Sequence, residues 1–352
     1  MEFQEIYQDF KLDELEKEIQ ELASWTPFSF KKIIQAIYAN ESSGLVGVIL
    51  DAISDVVLQE WIKTKNIFIT IVIIVLVSAL FATYKDVFQN HQIAELSFYV
   101  NYLALMVIVT NLFGKALLVG EEALRTIEEF MRIFFPTYFC IIGSTVGVGS
   151  GWAYYQIAGV IIYMVEWGLV SVILPALSTY MLLVLMNGVW EEEKLVLFLK
   201  NYQKAIKFFL KISLGVLTGA GIVQSLIRPF VDRIKGEAIY KAVEIIPGIG
   251  EATEGVMRIW LGSAVLIKNS VGIAGCIFLL FVCLSPIVKI FLFGSILKIT
   301  SAILSIAGEK KMIVCLNYVG DAVLMVLQTV SYGLLFFVVL IAIAAYSTNG
   351  GF

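Results

Sequence analysis

The sequence predicts an all-α, polytopic integral membrane protein. Of its 352 residues, 59% are hydrophobic and 15% are charged, whereas soluble domains hold about 45–50% apolar and about 25% charged residues. The mean hydropathy is +0.88. A single water-soluble core could not hide so much apolar surface, so we expect the lipid bilayer to be the solvent of most of the chain. The net charge of -4 and the lack of a basic block predict no nucleic-acid partner.

Residues 1–65 are expected to form a separate region of amphipathic helices. Leu12, Leu15, Ile19 and Leu22 follow each other at three- and four-residue spacing, and acidic residues occupy the opposite face. This pattern is typical of a helix that packs on other helices or lies in the membrane interface. Two further stretches, 28–38 and 46–61, repeat it.

Residues 66–352 form the predicted membrane domain. A helix needs about 17–25 predominantly apolar residues to cross the hydrocarbon of a bilayer. The stretch 153–189 is too long for one span and predicts one bent helix or two half-helices around Pro175. The stretch 228–268 is amphipathic and predicts a re-entrant or interfacial hairpin. In total, the sequence predicts seven to nine spanning or re-entrant helices. The candidate segments are 67–84, 96–118, 131–151, 153–189, 208–227, 228–268, 271–303 and 312–346.

A spaced pattern of residues suggests that the membrane domain contains an internal duplication. The four residues Pro136, Gly151, Ala153 and Pro175 recur 111 positions later as Pro247, Gly262, Ala264 and Pro286. The two copies would cover about 131–218 and 242–334. Duplicated halves are common in transporters and channels. Chance is the alternative interpretation, because spaced matches arise easily in a chain rich in a few apolar residues.

Helix breaks are predicted wherever proline interrupts an apolar segment. Proline lacks the backbone N–H and clashes with the preceding turn, and freed backbone groups at membrane depth must be buried or must line a cavity. Gly248 and Gly250 would allow a sharp turn after the third break. The predicted breaks are Pro136, Pro175, Pro247 and Pro286.

A run of small residues predicts an association surface. Gly143, Gly147 and Gly151 are four positions apart, which places them on one helix face where another backbone can approach closely. This face could form a contact between copies or line a pore. Ordinary packing within one subunit is the alternative.

Charged residues within apolar segments are the candidate functional groups, because each needs a partner or water at membrane depth. Glu166 and Lys289 could form a pair or line a hydrophilic conduit near the proline breaks, together with Asp321. Snorkelling at segment ends is the alternative for the lysine. Lys268 and Asn269 could line a conduit, contact a partner or cap a helix at the interface.

The chain offers little for catalysis, and we expect no enzyme, no metal and no cofactor. The only histidine, His91, lies in a polar connector, and one histidine cannot hold zinc. The four cysteines lie in or beside apolar segments, where buried thiols are expected. The sequence contains neither a Gly-x-Ser-x-Gly elbow nor a phosphate-binding Gly-x-x-x-x-Gly-Lys-Ser/Thr loop.

Two sequence blocks resemble the stage III sporulation protein AE family. They are Ile-Ile-Pro-Gly-Ile-Gly-Glu-Ala at 245–252 and Leu-Gly-Ser-Ala-Val-Leu-Ile-Lys-Asn-Ser-Val-Gly at 261–272. The resemblance extends over essentially the whole chain through the amphipathic front and the long apolar segments. It implies a protein of endospore-forming bacteria in the mother-cell membrane around the forespore. There it would join other stage III membrane proteins and a forespore-side partner in a channel or feeding-tube-like secretion complex. It also implies that a signal segment has been removed from this acidic N-terminus.

Two functions follow as hypotheses. In the first, the chain is a membrane platform or channel component of that multi-protein complex, with association surfaces that include contacts between its own copies. In the second, it is a self-contained solute transporter whose duplicated halves bind a solute at Glu166 and Lys289. An assembly factor without any conduit is a third option.

Overall fold

The computed structural model describes residues 12–22, 30, 33–34, 42–83, 91–146, 159–189, 195–215, 250–305 and 310–347. Within these ranges the chain is helical and contains no strand, as the sequence predicts. The helices are α1 (Leu12–Leu22), α2 (Ser42–Thr83), α3 (His91–Val146), α4 (159–189), α5 (196–215), α6 (Gly250–Leu304) and α7 (Lys310–Ser347).

Four of these helices are long and apolar enough to cross a membrane. The candidate spans are Tyr99–Gly143 in α3, Gly159–Asn187 in α4, Ile267–Leu304 in α6 and Lys310–Ala345 in α7. The expected seven to nine spans are therefore not confirmed among the described residues. The stretch 67–84 belongs mostly to α2, but it ends outside the described residues, and its membrane crossing stays a prediction.

Two segments predicted as separate are one helix in the structure. α3 has 56 residues and runs through both 96–118 and the start of 131–151. At 1.5 Å per residue it is about 84 Å long, whereas the hydrocarbon core of a bilayer is about 30 Å thick. α6 has 55 residues and likewise runs on from the amphipathic stretch into the apolar one. Both helices are thus much longer than one membrane crossing requires.

The predicted breaks at Pro136 and Pro286 are wrong, since both prolines lie inside continuous helices. Each removes one backbone hydrogen bond, so the carbonyls of Arg132 and Val282 lose their partner four residues later. Strong helix-forming segments on both sides and packing against neighbouring helices carry the helix through the lost bond. Gly250 is the first residue of α6 rather than a break, and Pro247 and Gly248 lie outside the described residues.

The helix accommodates the missing N–H of Pro175 in a different way. A π-helical segment, Trp167–Ile173, comes just before it, and the Leu174 N–H donates to the Leu169 carbonyl, five residues back. Bonds to the fifth preceding residue thus replace the usual α-helical pattern immediately before the proline. The Thr179 hydroxyl donates to the Pro175 carbonyl at 3.0 Å. α4 is therefore a single helix with a π segment, which agrees with the one-helix alternative.

α6 and α7 form a long antiparallel hairpin at the centre of the fold. Near the connection the Ser301 hydroxyl donates to the Ile313 carbonyl at 3.0 Å. At the far end the Lys268 ammonium donates to the Ala345 carbonyl at 3.2 Å. Contacts thus extend along nearly the whole length of α7.

α3 packs beside this hairpin through an aromatic stack. Phe130, Phe134 and Tyr138 lie one turn apart on α3, with ring centroids 5.4 Å and 5.1 Å apart along the stack. Phe278 of α6 stacks on Phe130 at 5.8 Å, and the edge of Phe30 meets Phe134 at 6.3 Å. All these rings are buried, so the stack forms the α3–α6 core.

The internal duplication is not confirmed. The π segment precedes Pro175, whereas its predicted counterpart Pro286 lies within a regular α-helix. Pro136 lies inside α3, and its counterpart Pro247 lies outside the described residues. The repeat therefore stays a prediction from sequence spacing.

Candidate functional site

A charged segment, 121–132, interrupts the apolar sequence of α3 and forms the candidate site. Its acids and bases are four residues apart, which places them on adjacent turns of the helix. The Arg125 guanidinium donates to the Glu121 carboxylate from Nε at 3.1 Å and from Nη2 at 2.8 Å. Arg132 forms an ion pair with Glu128, whose side chain is only 9% exposed. Each arginine thus neutralises a glutamate one turn earlier.

Glu166 of α4 joins this segment from the neighbouring helix. Its carboxyl lies close enough to that of Glu128 to interact with it, and Arg132 and Arg125 act on it electrostatically. Lys289 is not among these neighbours, so the contacts with α3 replace the predicted Glu166–Lys289 pair.

A cavity of about 270 Å³ opens beside the cluster between α3 and α4. Polar atoms reach it from Glu128 and Arg132, and the rest of the lining is apolar or aromatic. Its residues are Glu128, Met131, Arg132, Phe135, Gly159, Ile162 and Tyr163. Glu166 is the last residue before the π segment of α4, and π segments in long helices frequently occur at functional sites.

Asp321 lies elsewhere, at the α6–α7 seam. It forms an ion pair of 2.7 Å with Lys298 of α6, and the same ammonium donates to Asn317 Oδ1 at 2.6 Å. Asn317 and Asp321 are one helical turn apart, so a single lysine can bind both. The predicted conduit group Asp321 is therefore part of a pair that joins the two arms of the hairpin.

Lys268 is fully buried and caps the end of α7. The last carbonyls of a helix lack intrahelical donors and carry the negative end of the helix dipole, and Lys268 donates to one of them, on Ala345. This geometry matches the interfacial-cap alternative. Asn269 follows in α6 and is half-buried, as is Lys289.

Sequence reasoning missed a buried carboxylate on α2. Glu60 is 5% exposed, and its Oε1 accepts from Lys63 at 3.0 Å and from Ser285 of α6 at 3.3 Å. Its Oε2 has no hydrogen-bond partner among the described residues. The apolar neighbours Leu58 and Ile62 are exposed, so the hydrophobic pattern alone would have placed Glu60 on the outside.

The predicted glycine surface is described only at Gly143, which is buried within α3. Gly147 and Gly151 lie outside the described residues. Close approach at glycine occurs instead at the seams of α6 and α7 with their neighbours, where an added Cβ would lie within 3.2 Å of a side chain. These positions are Gly120, Gly272, Gly275, Gly294, Gly320 and Gly333.

Among the described residues, no three or more of the histidine, cysteine and acidic side chains converge as a metal site would require. The four cysteines are free thiols: Cys140 is exposed, Cys276 is half-buried, and Cys283 and Cys315 are buried.

Comparison with known proteins identifies related sequences. The family described as stage III sporulation protein AE matches residues 28–348. A stage III sporulation protein AE of Bacillus subtilis (strain 168) is 22% identical over 304 residues, which cover 81% of this chain and 75% of the relative. No solved structure matches the chain. With apolar helices long enough to span a bilayer and a family match over most of its length, the chain belongs to the stage III sporulation protein AE family of sporulation-related membrane proteins.

Proposed function

We propose that the protein is a membrane platform or channel component of a multi-protein secretion complex between the mother cell and the forespore. Family membership supports a role in sporulation, and the apolar helices support a place in a membrane. The observation that carries the proposal is the length of α3 and α6, each about 80 Å by helix rise. Helices of that length extend well beyond one bilayer and offer surface for other subunits.

The mother-cell membrane around the forespore is the proposed location. The proposed partners of the protein are other stage III sporulation membrane proteins, a forespore-side channel partner and further copies of the same chain. The chain itself is proposed to catalyse no reaction.

The test is purification of the tagged chain from sporulating cells in a mild detergent, together with imaging of a fluorescent fusion. The expected result is a large assembly that contains other stage III proteins, and fluorescence confined to the membrane around the forespore. Recovery of the chain alone, spread evenly over all cell membranes, would contradict the proposal.

A self-contained solute transporter is the second candidate, and the cavity beside Glu128 and Arg132 is the observation that favours it. The variants Glu166→Ala and Lys289→Ala separate the two functions. A transporter should lose uptake with Glu166→Ala while its assembly stays intact. A platform should tolerate both substitutions, with sporulation efficiency within about twofold of the unmodified chain.

A further inference from the structure

Three helices of the bundle share an apolar band that contains a single charged residue. Residues 269–288 of α6 and 322–347 of α7 contain no Asp, Glu, Lys or Arg, and 159–189 of α4 contains only Glu166. The bands lie side by side. Lys268 next to Ala345 aligns the ends of α6 and α7, and the Cβ position of Gly333 lies 3.3 Å from Leu169 of α4. At about 30 Å or more each, these stretches match the hydrocarbon core of a bilayer.

α3 places its charged segment beside this band. A Cβ on Gly275 would lie 2.5 Å from Phe134, and the Cβ position of Gly120 lies 3.9 Å from Ile290 of α6. These two contacts set residues 120–134 of α3 alongside 275–290 of α6. The Cβ position of Gly333 in α7 lies 2.6 Å from Leu124 of α3, which gives the same register. The charged segment 121–132 therefore lies at the depth of the apolar band.

The outer face of this segment is charged and exposed. Glu122, Arg125, Glu129 and Arg132 follow each other at spacings of three and four, so they share one helix face. The two arginine side chains are 58% and 68% exposed, and both glutamates are exposed. We name these four residues the charged face of α3. At the same depth α6 exposes Leu280, at 51%.

Lipid cannot be the environment of both surfaces. Charged side chains within the hydrocarbon are unfavourable and face water or a partner, whereas Leu280 and its neighbours are suited to lipid. Placing the bilayer around the apolar start of α3 would instead leave the bands of α4, α6 and α7 in water. Two helices then agree with the bilayer, the start of α3 and the uncharged stretch 66–83 of α2 that lies beside it, against three in the other arrangement.

We propose that the charged face of α3 lines a water-filled conduit at the depth of the bilayer. This inference rests on the proposed channel function and identifies the surface that would carry it. Arg125 and Arg132 are bound to Glu121 and Glu128, so their charges are compensated. Glu122 and Glu129 have no ion pair within the described part of the chain. The lining is therefore net negative, and rings of acidic side chains favour cations.

Thiol accessibility tests the environment directly. In the full-length chain with its four native cysteines changed to alanine, Glu129→Cys and Leu280→Cys are each treated with a membrane-impermeant, positively charged methanethiosulfonate reagent. The preparation is the assembled protein in native membranes. The two positions lie at one depth on different helices, so depth alone does not separate them. We expect Glu129→Cys to react at least tenfold faster.

Two outcomes overturn the inference. Equal, fast reaction at both positions means that this level lies outside the bilayer. Slow reaction at both means that the charged face of α3 is sealed from water. Should the cysteine-free chain fail to fold, the same two substitutions in the unmodified chain, with the labelled site mapped by mass spectrometry, give the same comparison. Either negative outcome leaves the co-purification and location of the proposed function untouched, so the two failures are distinguishable.

A second measurement tests the sign of the lining. Leu118 is 67% exposed and lies one turn before Glu122 on the same face. For Leu118→Cys, we expect the cationic reagent to react severalfold faster than a matched anionic one. Each rate is first normalised to the rate of the same reagent with a free thiol in solution. Adding Glu122→Gln and Glu129→Gln should reduce that preference at least threefold. An unchanged ratio would show that these glutamates do not set the local potential.

Discussion

Gly275 of α6 lies against the ring of Phe134 of α3 so closely that a Cβ at Gly275 would be 2.5 Å from the ring Cζ. The ring cannot move away freely, because Phe130 and Tyr138 stack on its two sides. We therefore expect Gly275→Ala to lower the free energy of unfolding by about 1–3 kcal/mol, the usual cost of overpacking a core. Thermal unfolding in a fixed detergent would measure it.

Gly114 provides the matched control. It also lies inside a long helix, but no atom lies within 4 Å of its Cβ position. Gly114→Ala should leave the unfolding temperature unchanged or raise it, because alanine favours the helix by roughly 0.5–1 kcal/mol over glycine. Equal effects of the two substitutions would contradict the close packing of α3 on α6.

The Lys298–Asp321 pair should contribute to the α6–α7 hairpin. The two side chains are 31% and 27% exposed, so water weakens but does not abolish their attraction. A double-mutant cycle with Lys298→Met and Asp321→Asn should give a coupling energy of about 1 kcal/mol. A coupling energy near zero would mean that the two side chains do not interact in the folded protein.

Removal of the Lys268 cap should loosen the end of α7. Lys268→Met keeps most of the buried stem but loses the bond to the Ala345 carbonyl. We expect faster amide hydrogen exchange in the last two turns of α7, by roughly tenfold, because an unsatisfied helix end frays. Lys289→Met is the control, since its ammonium makes no hydrogen bond to a described residue, and it should leave the exchange of α7 unaltered.

Substitution of Lys63 should destabilise the protein, because the buried carboxylate of Glu60 then lacks its cation. Lys63 is the cation bound to this buried carboxylate, so Lys63→Met leaves the charge with only the Ser285 hydroxyl. The expected loss of stability is about 1 kcal/mol, modest because the lysine is largely exposed. Adding Glu60→Gln should restore most of it. If the double variant is less stable than Lys63→Met alone, the carboxylate has another role.

Class, family and helical content follow from the sequence, because composition and apolar run length reflect the solvent directly. The effect of each proline on its helix could not be predicted from the sequence. A proline removes one local bond, and whether the helix continues depends on its packing against other helices. Pro136 and Pro286 are carried through in that way, whereas Pro175 is preceded by a π segment that no local signal marks.

The partners of the charged side chains are likewise decided by how the helices pack on each other. Glu166 is conspicuous in an apolar stretch, but its neighbours are set by the register of α4 on α3, which hydropathy does not encode. The Lys298–Asn317 contact was within reach of sequence reasoning, since the two residues are nearly equidistant from the α6–α7 connection. Glu60 had no such signal, because its helix face is polar where it is buried.

The α6–α7 hairpin also has a consequence for the order of folding. Its contacts begin with Ser301 and Ile313, twelve residues apart, and reach Lys268 and Ala345, seventy-seven apart. Contacts between two such helices can form progressively from the turn toward the far ends, because each new contact closes only a short additional loop. The groove that receives the aromatic rings of α3 lies partly on this hairpin. We therefore expect α3 to dock after the α6–α7 hairpin has formed.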